Sequence, residues 1–225
     1  MYSSHTRLSD IIFDDFTVIP VLNRFGITLG VGDDTIESAS RRAGVSSEFL
    51  LDILNNGNSN ANKEGIPFSS EETEWTVGFL EDSNHWFSTA ALPNIERHFR
   101  ALHDRSQETQ GNNLEFLWRF FQELKSELLS RIDRDSQYLF PVVRKVICEG
   151  RNNYEKCCFE NFGESDSVEE KVDDLASFFV IHLRGDYDRN LCMAVVTSLM
   201  ALEKEVKRSN RLRQRLLKEL SACFY

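Results

Sequence analysis

The feature that most constrains this chain is the recurrence of apolar residues at helical spacing over long stretches. Between residues 188 and 221 they return every three or four positions, at Leu191, Val195, Leu199, Leu202, Val206, Leu212, Leu216 and Leu220. That spacing places them on one face of a helix. The chain has only four prolines, and no stretch alternates as a half-buried strand would. The sequence therefore predicts an all-α protein.

Three more long helices are predicted on the same ground. They cover about 74–105, 114–149 and 166–183. Pro93 and Pro141 lie inside the first two and are expected to kink them. Four long amphipathic helices joined by shorter connections are typical of an up-and-down four-helix bundle. We assign this bundle to residues 73–225.

Residues 1–56 are predicted to form a separate small domain of several short helices. Asp34 or Thr35 is suited to cap the start of one of them, which Gly44 is suited to end, and Ser46 or Ser47 is suited to cap the next. Residues 57–72 are rich in Asn, Ser and Gly, a composition typical of a linker.

The charge and the termini narrow the class of partner. The chain has 225 residues, of which 26 are basic and 36 are acidic, so the net charge is −10. So acidic a chain repels polyanions, and we expect no nucleic-acid partner. No apolar run reaches the roughly 18 residues that span a bilayer, and the first residues lack the apolar stretch of a signal peptide. These observations predict a cytoplasmic protein without membrane contact.

The five cysteines form no C-x-x-C pair and are odd in number, which is typical of free thiols in a reducing compartment. Cys157 and Cys158 are adjacent. They are interpreted as structural residues, with redox activity or soft-metal binding as the alternative.

Two segments resemble the iron–sulfur cluster repair di-iron proteins. Residues 8–55, with an apolar helix, a Phe-Gly-Ile turn, a glycine-rich loop and an Ile-Glu-x-Ala helix, resemble the small N-terminal domain of that family. The family carries adjacent cysteines after the turn, whereas this chain has residues 28–32, TLGVG. The later helices resemble the hemerythrin-like bundle that follows, with Phe120-Phe121-x-Glu123 and Leu139-Phe140-Pro141 placed as around the family's His-x-x-x-Glu helix.

The resemblance implies a hemerythrin-like bundle and also the positions where a pair of irons would be held. The matching residues here are Asn84, His85, Arg131, Asp135, Ser165, Ser209 and Arg213. They include one imidazole and one carboxylate, where about five imidazoles and two carboxylates are needed. His98 and His103 follow His85 by 13 and 18 residues on one predicted helix, roughly 20 and 27 Å along its axis. We therefore expect a degenerate site without metal or other cofactor, and no catalytic residue.

Arg131 and Asp135 are four residues apart and so share a helix face. If that face points inward, a buried ion pair occupies the place of the metal. Such a pair needs further hydrogen bonds to offset its desolvation, and the candidates to supply them are Ser130, Ser136 and the residues at 84 and 85. The alternative is a solvated stretch with a shifted register. The basic stretch from Glu203 to Glu219 is interpreted as a solvated helix face, or as a surface that pairs with the acidic N-terminal domain.

These observations lead to one functional hypothesis and two alternatives. The first is a metal-free binding or regulatory module, not an enzyme, that acts through a protein partner or self-association, in the stress response of its metal-bearing relatives. The second is a non-haem iron protein of iron–sulfur cluster repair or of the response to oxygen or nitric oxide. The third is a DNA-binding regulator, because residues 35–54 have the outline of a helix-turn-helix, although its second helix has Glu48 and Asp52 and no basic residue.

Overall fold

The computed structural model describes residues 2–55, 69–106, 113–149 and 167–222. Within these ranges every regular element is a helix, which confirms the all-α class. The one β-type contact there is an isolated antiparallel bridge between Arg7 and Thr35. The chain divides into two compact units, Met1–Phe79 and Leu80–Tyr225.

The first unit is built from short helices with strong end signals. They are α1 (Leu8–Asp14), α2 (Ile19–Arg24), α3 (Ile36–Ala43), α4 (Ser47–Leu54) and the start of α5 (Ser70–Trp86). Thr35 and Ser38 form a capping box at the start of α3, and Gly44 ends it in the left-handed region at φ 70°. Ser46 caps α4 by accepting the N–H of Phe49 at 3.0 Å. Of the candidate caps, Thr35 and Ser46 are the residues that act, and Gly44 ends α3 as predicted.

Aromatic contacts attach the beginning of α5 to this first unit. The ring of Phe79 stacks on Phe25 with centroids 5.6 Å apart, and Trp75 lies 5.6 Å from Phe49. For this reason the boundary between the two compact units follows Phe79, whereas the sequence predicts that the second domain begins at residue 73. Most of the predicted linker, 57–72, lies outside the described residues.

The second unit consists of long helices, three of which contain or end in a π-helical turn. The helix α5 continues through Phe87–Ala91 into α6 (Leu92–Ser106), and α7 (Leu114–Arg134) continues through Asp135–Leu139 into α8 (Phe140–Glu149). The helix α9 (Val168–Ser177) ends in a π turn at Phe178–His182, and α10 (Arg189–Ala222) follows. No described helix is both long enough and apolar enough to cross a membrane.

The four long helices of the second unit contact one another in a ring. The helix α6 packs on α7 and α10, and α9 also packs on α7 and α10. Consequently α7 and α10 face each other across the interior. The predicted apolar stripe of α10 is buried there, at Val195, Leu199, Leu202, Val206, Leu212 and Leu216.

The two prolines inside long helices are each preceded by a π turn. The N–H of Leu92, next to Pro93, bonds to the carbonyl of Phe87, and the N–H of Phe140, next to Pro141, bonds to that of Asp135. Proline lacks an N–H and its ring collides with the carbonyl four residues earlier. The wider turn accommodates this, so each helix continues through the position where the sequence predicted a kink.

The ion pair between Glu96 on α6 and Lys125 on α7 gives the second unit a pH-dependent contribution to stability. Lys125 Nζ donates to Glu96 Oε2 at 2.7 Å, and the side chains of Lys125 and Glu96 are 26% and 22% exposed. This hydrogen bond is the main cause that holds the pKa of Glu96 below its usual range. The contribution is therefore complete above the ordinary glutamate pKa, about 4.3, and is lost as pH falls through the lower folded-state value.

We expect Glu96→Gln to lower the free energy of unfolding by on the order of 1 kcal/mol or less at neutral pH. The difference from wild type should shrink toward zero in acid, because Glu96 is then protonated in both states. Urea unfolding of both proteins at neutral and at acid pH measures this. An equal difference at the two pH values would show that the ion pair does not contribute.

Candidate functional site

A network of buried charged side chains lies inside the second unit. Its members with the lowest exposure are Arg131 at 3%, Asp135 at 2%, Glu205 at 1%, Arg208 at 2% and Arg213 at 8%. Charged residues are rarely buried this fully unless they are paired. This network is therefore the strongest departure from an ordinary apolar core in the described chain.

The network arises because polar residues occupy inward positions on two helices that face each other. Arg131 and Asp135 are one helical turn apart on the inner face of α7 and the π turn that follows. On α10, Arg213 follows Val206 by seven residues and therefore lies on the same buried face. The side chains of Arg213 and Asp135 therefore meet in the interior.

The central contact joins Arg213 on α10 to Asp135 on the π turn that follows α7. The Nε of Arg213 donates to Oδ1 and Oδ2 of Asp135 at 3.1 and 2.9 Å, and Nη2 donates to Oδ1 at 2.8 Å. This is the two-pronged arrangement in which a guanidinium binds a carboxylate most strongly. It joins residues that are 78 positions apart in the chain.

Two further contacts extend the network. Arg131 Nη1 donates to Asn210 Oδ1 at 2.6 Å, and Asn210 Nδ2 donates to Glu169 Oε2 at 2.8 Å, which links α7 through α10 to α9. Arg208 pairs with Glu205 on its own helix. The three guanidiniums are thus accompanied by three carboxylates. This balance is needed because an uncompensated charge in the interior is costly.

A cavity of about 350 Å³ adjoins the network between α9 and α10. It is lined by Glu169, Glu170, Asp173, Lys207, Asn210, Arg213 and Gln214. Through Asn210 and Arg213 it reaches two members of the network. Every side chain of the lining is polar, so the cavity suits water rather than an apolar ligand.

The structure places the residues that the resemblance assigned to metal ligands in three environments. Arg131, Asp135 and Arg213 are buried in the network; Asn84 and Ser209 are also buried, at 7% and 4% exposure. The side-chain atoms Asn84 Nδ2 and Ser209 Oγ have no hydrogen-bond partner among the described residues. His85 is exposed, and Ser165 lies outside the described residues, as do Cys157 and Cys158.

The network differs in two respects from the one predicted. We expected Arg131 to be the partner of Asp135, but Arg213 binds both oxygens of that carboxylate. Ser130, Ser136 and His85, the expected sources of hydrogen bonds, point to the surface. Asn210 on α10 supplies a bond instead. Long side chains on the inner face of α7 reach α10, which lies opposite. Ser130 and Ser136 are close to Arg131 and Asp135 in the sequence but lie on other faces of the helix, so they cannot supply the hydrogen bonds.

Four members of the network, three on α10 and one on α9, were not predicted from the sequence. Glu205, Arg208 and Asn210 lie within the basic stretch that we interpreted as solvated or as a partner for the acidic domain, and Arg208 and Arg213 are instead buried. The available signal was their position: Glu205 and Arg208 fall where the apolar periodicity of α10 predicts inward-facing residues. Glu169 on α9 had no such signal.

The residues present do not fit a di-iron centre. A guanidinium has only donors and no lone pair with which to bind a metal, and Arg131 and Arg213 hold two of the positions that the resemblance assigns to ligands. The carboxylate of Asp135 is engaged by Arg213. Among the described residues no group of three or more His, Cys, Asp and Glu side chains is arranged to hold a metal ion.

Comparison with known protein families, with curated proteins and with solved structures finds no match to this chain. The function must therefore be argued from the residues and the geometry.

Proposed function

We propose that this protein is a degenerate hemerythrin-like bundle that works without metal, as a binding or regulatory module acting through protein contacts in the cytoplasm. The single observation that supports the proposal most is the ion pair between Asp135 and Arg213. These are two positions that the resemblance gives to metal ligands, and they bind each other across the interior. A salt bridge there supplies the cross-link between facing helices that a metal centre would otherwise supply.

We propose further that the buried charged network does not catalyse a reaction. A carboxylate that acts as a general base needs access to a substrate proton. Asp135 is 2% exposed and both of its oxygens accept hydrogen bonds from Arg213. This arrangement favours a structural role for the network and leaves function to the outer surface of the protein.

The test is the metal content of protein produced in iron-supplemented medium. We expect colourless protein without stoichiometric iron, and an unfolding transition that an iron chelator does not shift, because no metal contributes to folding. Two irons per chain with the absorption band of an oxo bridge would overturn the proposal. That result would favour the alternative, a non-haem iron protein of iron–sulfur cluster repair or of the oxygen or nitric oxide response.

The DNA-binding alternative receives geometric but not electrostatic support. The helices α3 and α4 are joined by a turn at Gly44, as in a helix-turn-helix. However, α4 turns Phe49, Leu50 and Ile53 into the core and presents Glu48 to solvent. A recognition helix without a cation cannot contact phosphates favourably. Salt-dependent retardation of duplex DNA would be required to revive this alternative.

A further inference from the structure

An exposed aromatic surface lies on the second unit where α7 packs against α9. We call it the α7–α9 face; it comprises Phe116, Phe120, Glu123, Asp174, Phe178 and Ile181. Phe116 is 54% exposed and Ile181 68%. Large apolar side chains that are clustered and exposed mark interaction sites more often than isolated ones do.

The aromatic rings of the α7–α9 face contact one another and form a continuous pad. Phe116 and Phe120 are nearly parallel, with centroids 6.4 Å apart and planes at 4°. Phe178 from α9 meets them edge to face, at 5.7 and 6.3 Å. The pad is therefore held in place from two helices before any partner arrives, which lowers the entropic cost of binding.

The charges beside the pad follow from the register of the two helices. At one end Glu127 on α7 accepts hydrogen bonds from Ser167, just before α9, and from Lys171 on α9. At the other end Asn113 Oδ1 accepts the backbone N–H of Arg184. On α9 Asp174 lies between Lys171 and Phe178, at helical spacing on the same side. On α7 Glu123 lies in the same way between Phe120 and Glu127. Since the helices are antiparallel, both carboxylates lie at one level, about one turn from the rings.

Neither Glu123 nor Asp174 makes an ion pair or a side-chain hydrogen bond among the described residues, and both are exposed. An apolar pad next to two such carboxylates is complementary to a helix that carries apolar residues and, one turn further along, a lysine or an arginine. Anionic lipids and nucleic acids carry charge of the same sign as these two carboxylates and would be repelled. A second copy of this chain, with a net charge of −10, is disfavoured for the same reason.

We propose that the α7–α9 face binds a basic amphipathic helix of a partner protein. Its apolar residues would rest on Phe116, Phe120 and Ile181, and a lysine or arginine would lie between Glu123 and Asp174. This inference rests on the proposed function as a binding module, because it names the surface and the partner through which such a module would act.

The experiment uses two synthetic peptides patterned as amphipathic helices, one of leucine and lysine and one of leucine and glutamate. Calorimetry with the full chain at physiological ionic strength measures their affinity. We expect the lysine peptide to bind at least about tenfold more tightly than the glutamate peptide. Two double variants, Glu123→Gln with Asp174→Asn and Phe116→Ser with Ile181→Ser, should each weaken it by about tenfold or more.

The matched control is Asp133→Asn with Glu170→Gln, which removes the same charge from exposed positions outside the face. It should leave the affinity unchanged. All four positions of the two charge variants are exposed, so folding is expected to survive, and circular dichroism checks this. Glu123→Lys with Asp174→Lys should reverse the preference between the two peptides.

Three results would overturn the inference. The first is that the lysine peptide does not bind. The second is that the control variant weakens binding of the lysine peptide as much as the face variants do, which indicates general charge attraction. The third is that sedimentation shows a wild-type dimer that the Phe116→Ser and Ile181→Ser variant dissociates, which assigns the face to a second copy of the chain. Iron measured on the same preparation tests the proposed function separately, so its failure and the failure of this inference are distinguishable.

Discussion

Replacement of Asp135 by alanine is expected to lower the free energy of unfolding by about 3–5 kcal/mol. The change leaves the guanidinium of Arg213 in the interior without the carboxylate that accepts all three of its hydrogen bonds. The unpaired cation must then be solvated by water from the adjoining polar cavity or by movement of the helices, and either costs free energy. Chemical denaturation monitored by circular dichroism measures the loss.

The companion variant removes both charges together, as Asp135→Leu with Arg213→Met. We expect it to recover most of the stability that the single change loses, since a buried ion pair replaced by apolar side chains is often neutral or stabilising. Recovery would show that the ion pair adds no net stability over apolar side chains of similar size. A double variant as unstable as the single one would contradict this account.

The control carboxylate for this series is Glu115, which lies on α7 as Arg131 does and pairs with Arg119 at 2.8 Å. Its side chain is 54% exposed, so water screens its ion pair, and we expect Glu115→Ala to lower the free energy of unfolding far less than Asp135→Ala does. A loss at Asp135 no larger than at Glu115 would mean that water screens the interior pair.

Replacement of Phe99 by alanine should also cost about 3–5 kcal/mol. Phe99 is fully buried on α6. Its ring meets Trp118 and Phe121 of α7 and Phe179 of the π turn after α9, at centroid distances of 5.3, 5.7 and 5.2 Å. Its removal leaves a cavity at a point where three helices meet, and the rigid rings around it close that space poorly.

Phe116→Ala is the matched change for Phe99, because it removes the same side chain from an exposed position on α7. We expect it to lower the free energy of unfolding by about 1 kcal/mol, because the half-exposed ring loses only its contacts with Phe120 and Phe178. Urea unfolding of both variants gives the comparison. Similar losses at the two positions would show that Phe99 does not occupy the centre of the core.

Several elements of the fold were predictable because their signals are local. Thr35 and Ser46 as caps, and Gly44 as the end of α3, follow from hydrogen-bonding and backbone preferences that act over a few residues. The proline positions predicted a disturbance in two long helices, and both have a π turn directly before the proline. Both helices continue through their prolines, in agreement with the predicted ranges 74–105 and 114–149. The sequence did not predict the π turns themselves.

The candidate site was predictable in part. Helical spacing indicated that Arg131 and Asp135 share a face, and the structure places both in the interior. Their partners could not be inferred, since Arg213 and Asn210 lie on α10, in a stretch so rich in cations that it was interpreted as solvated. Charge composition describes what a stretch contains, not which of its residues face inward.

The amino-acid sequence by itself determined the helical class, the ends of the short helices and the apolar face of each long helix, because these depend on neighbours within one or two turns. Only the tertiary structure decided which faces meet. The pair of Asp135 and Arg213 spans 78 residues, and the α7–α9 face joins residues from two helices. Such contacts depend on how whole helices pack, and periodicity along one helix carries no information about the helix opposite.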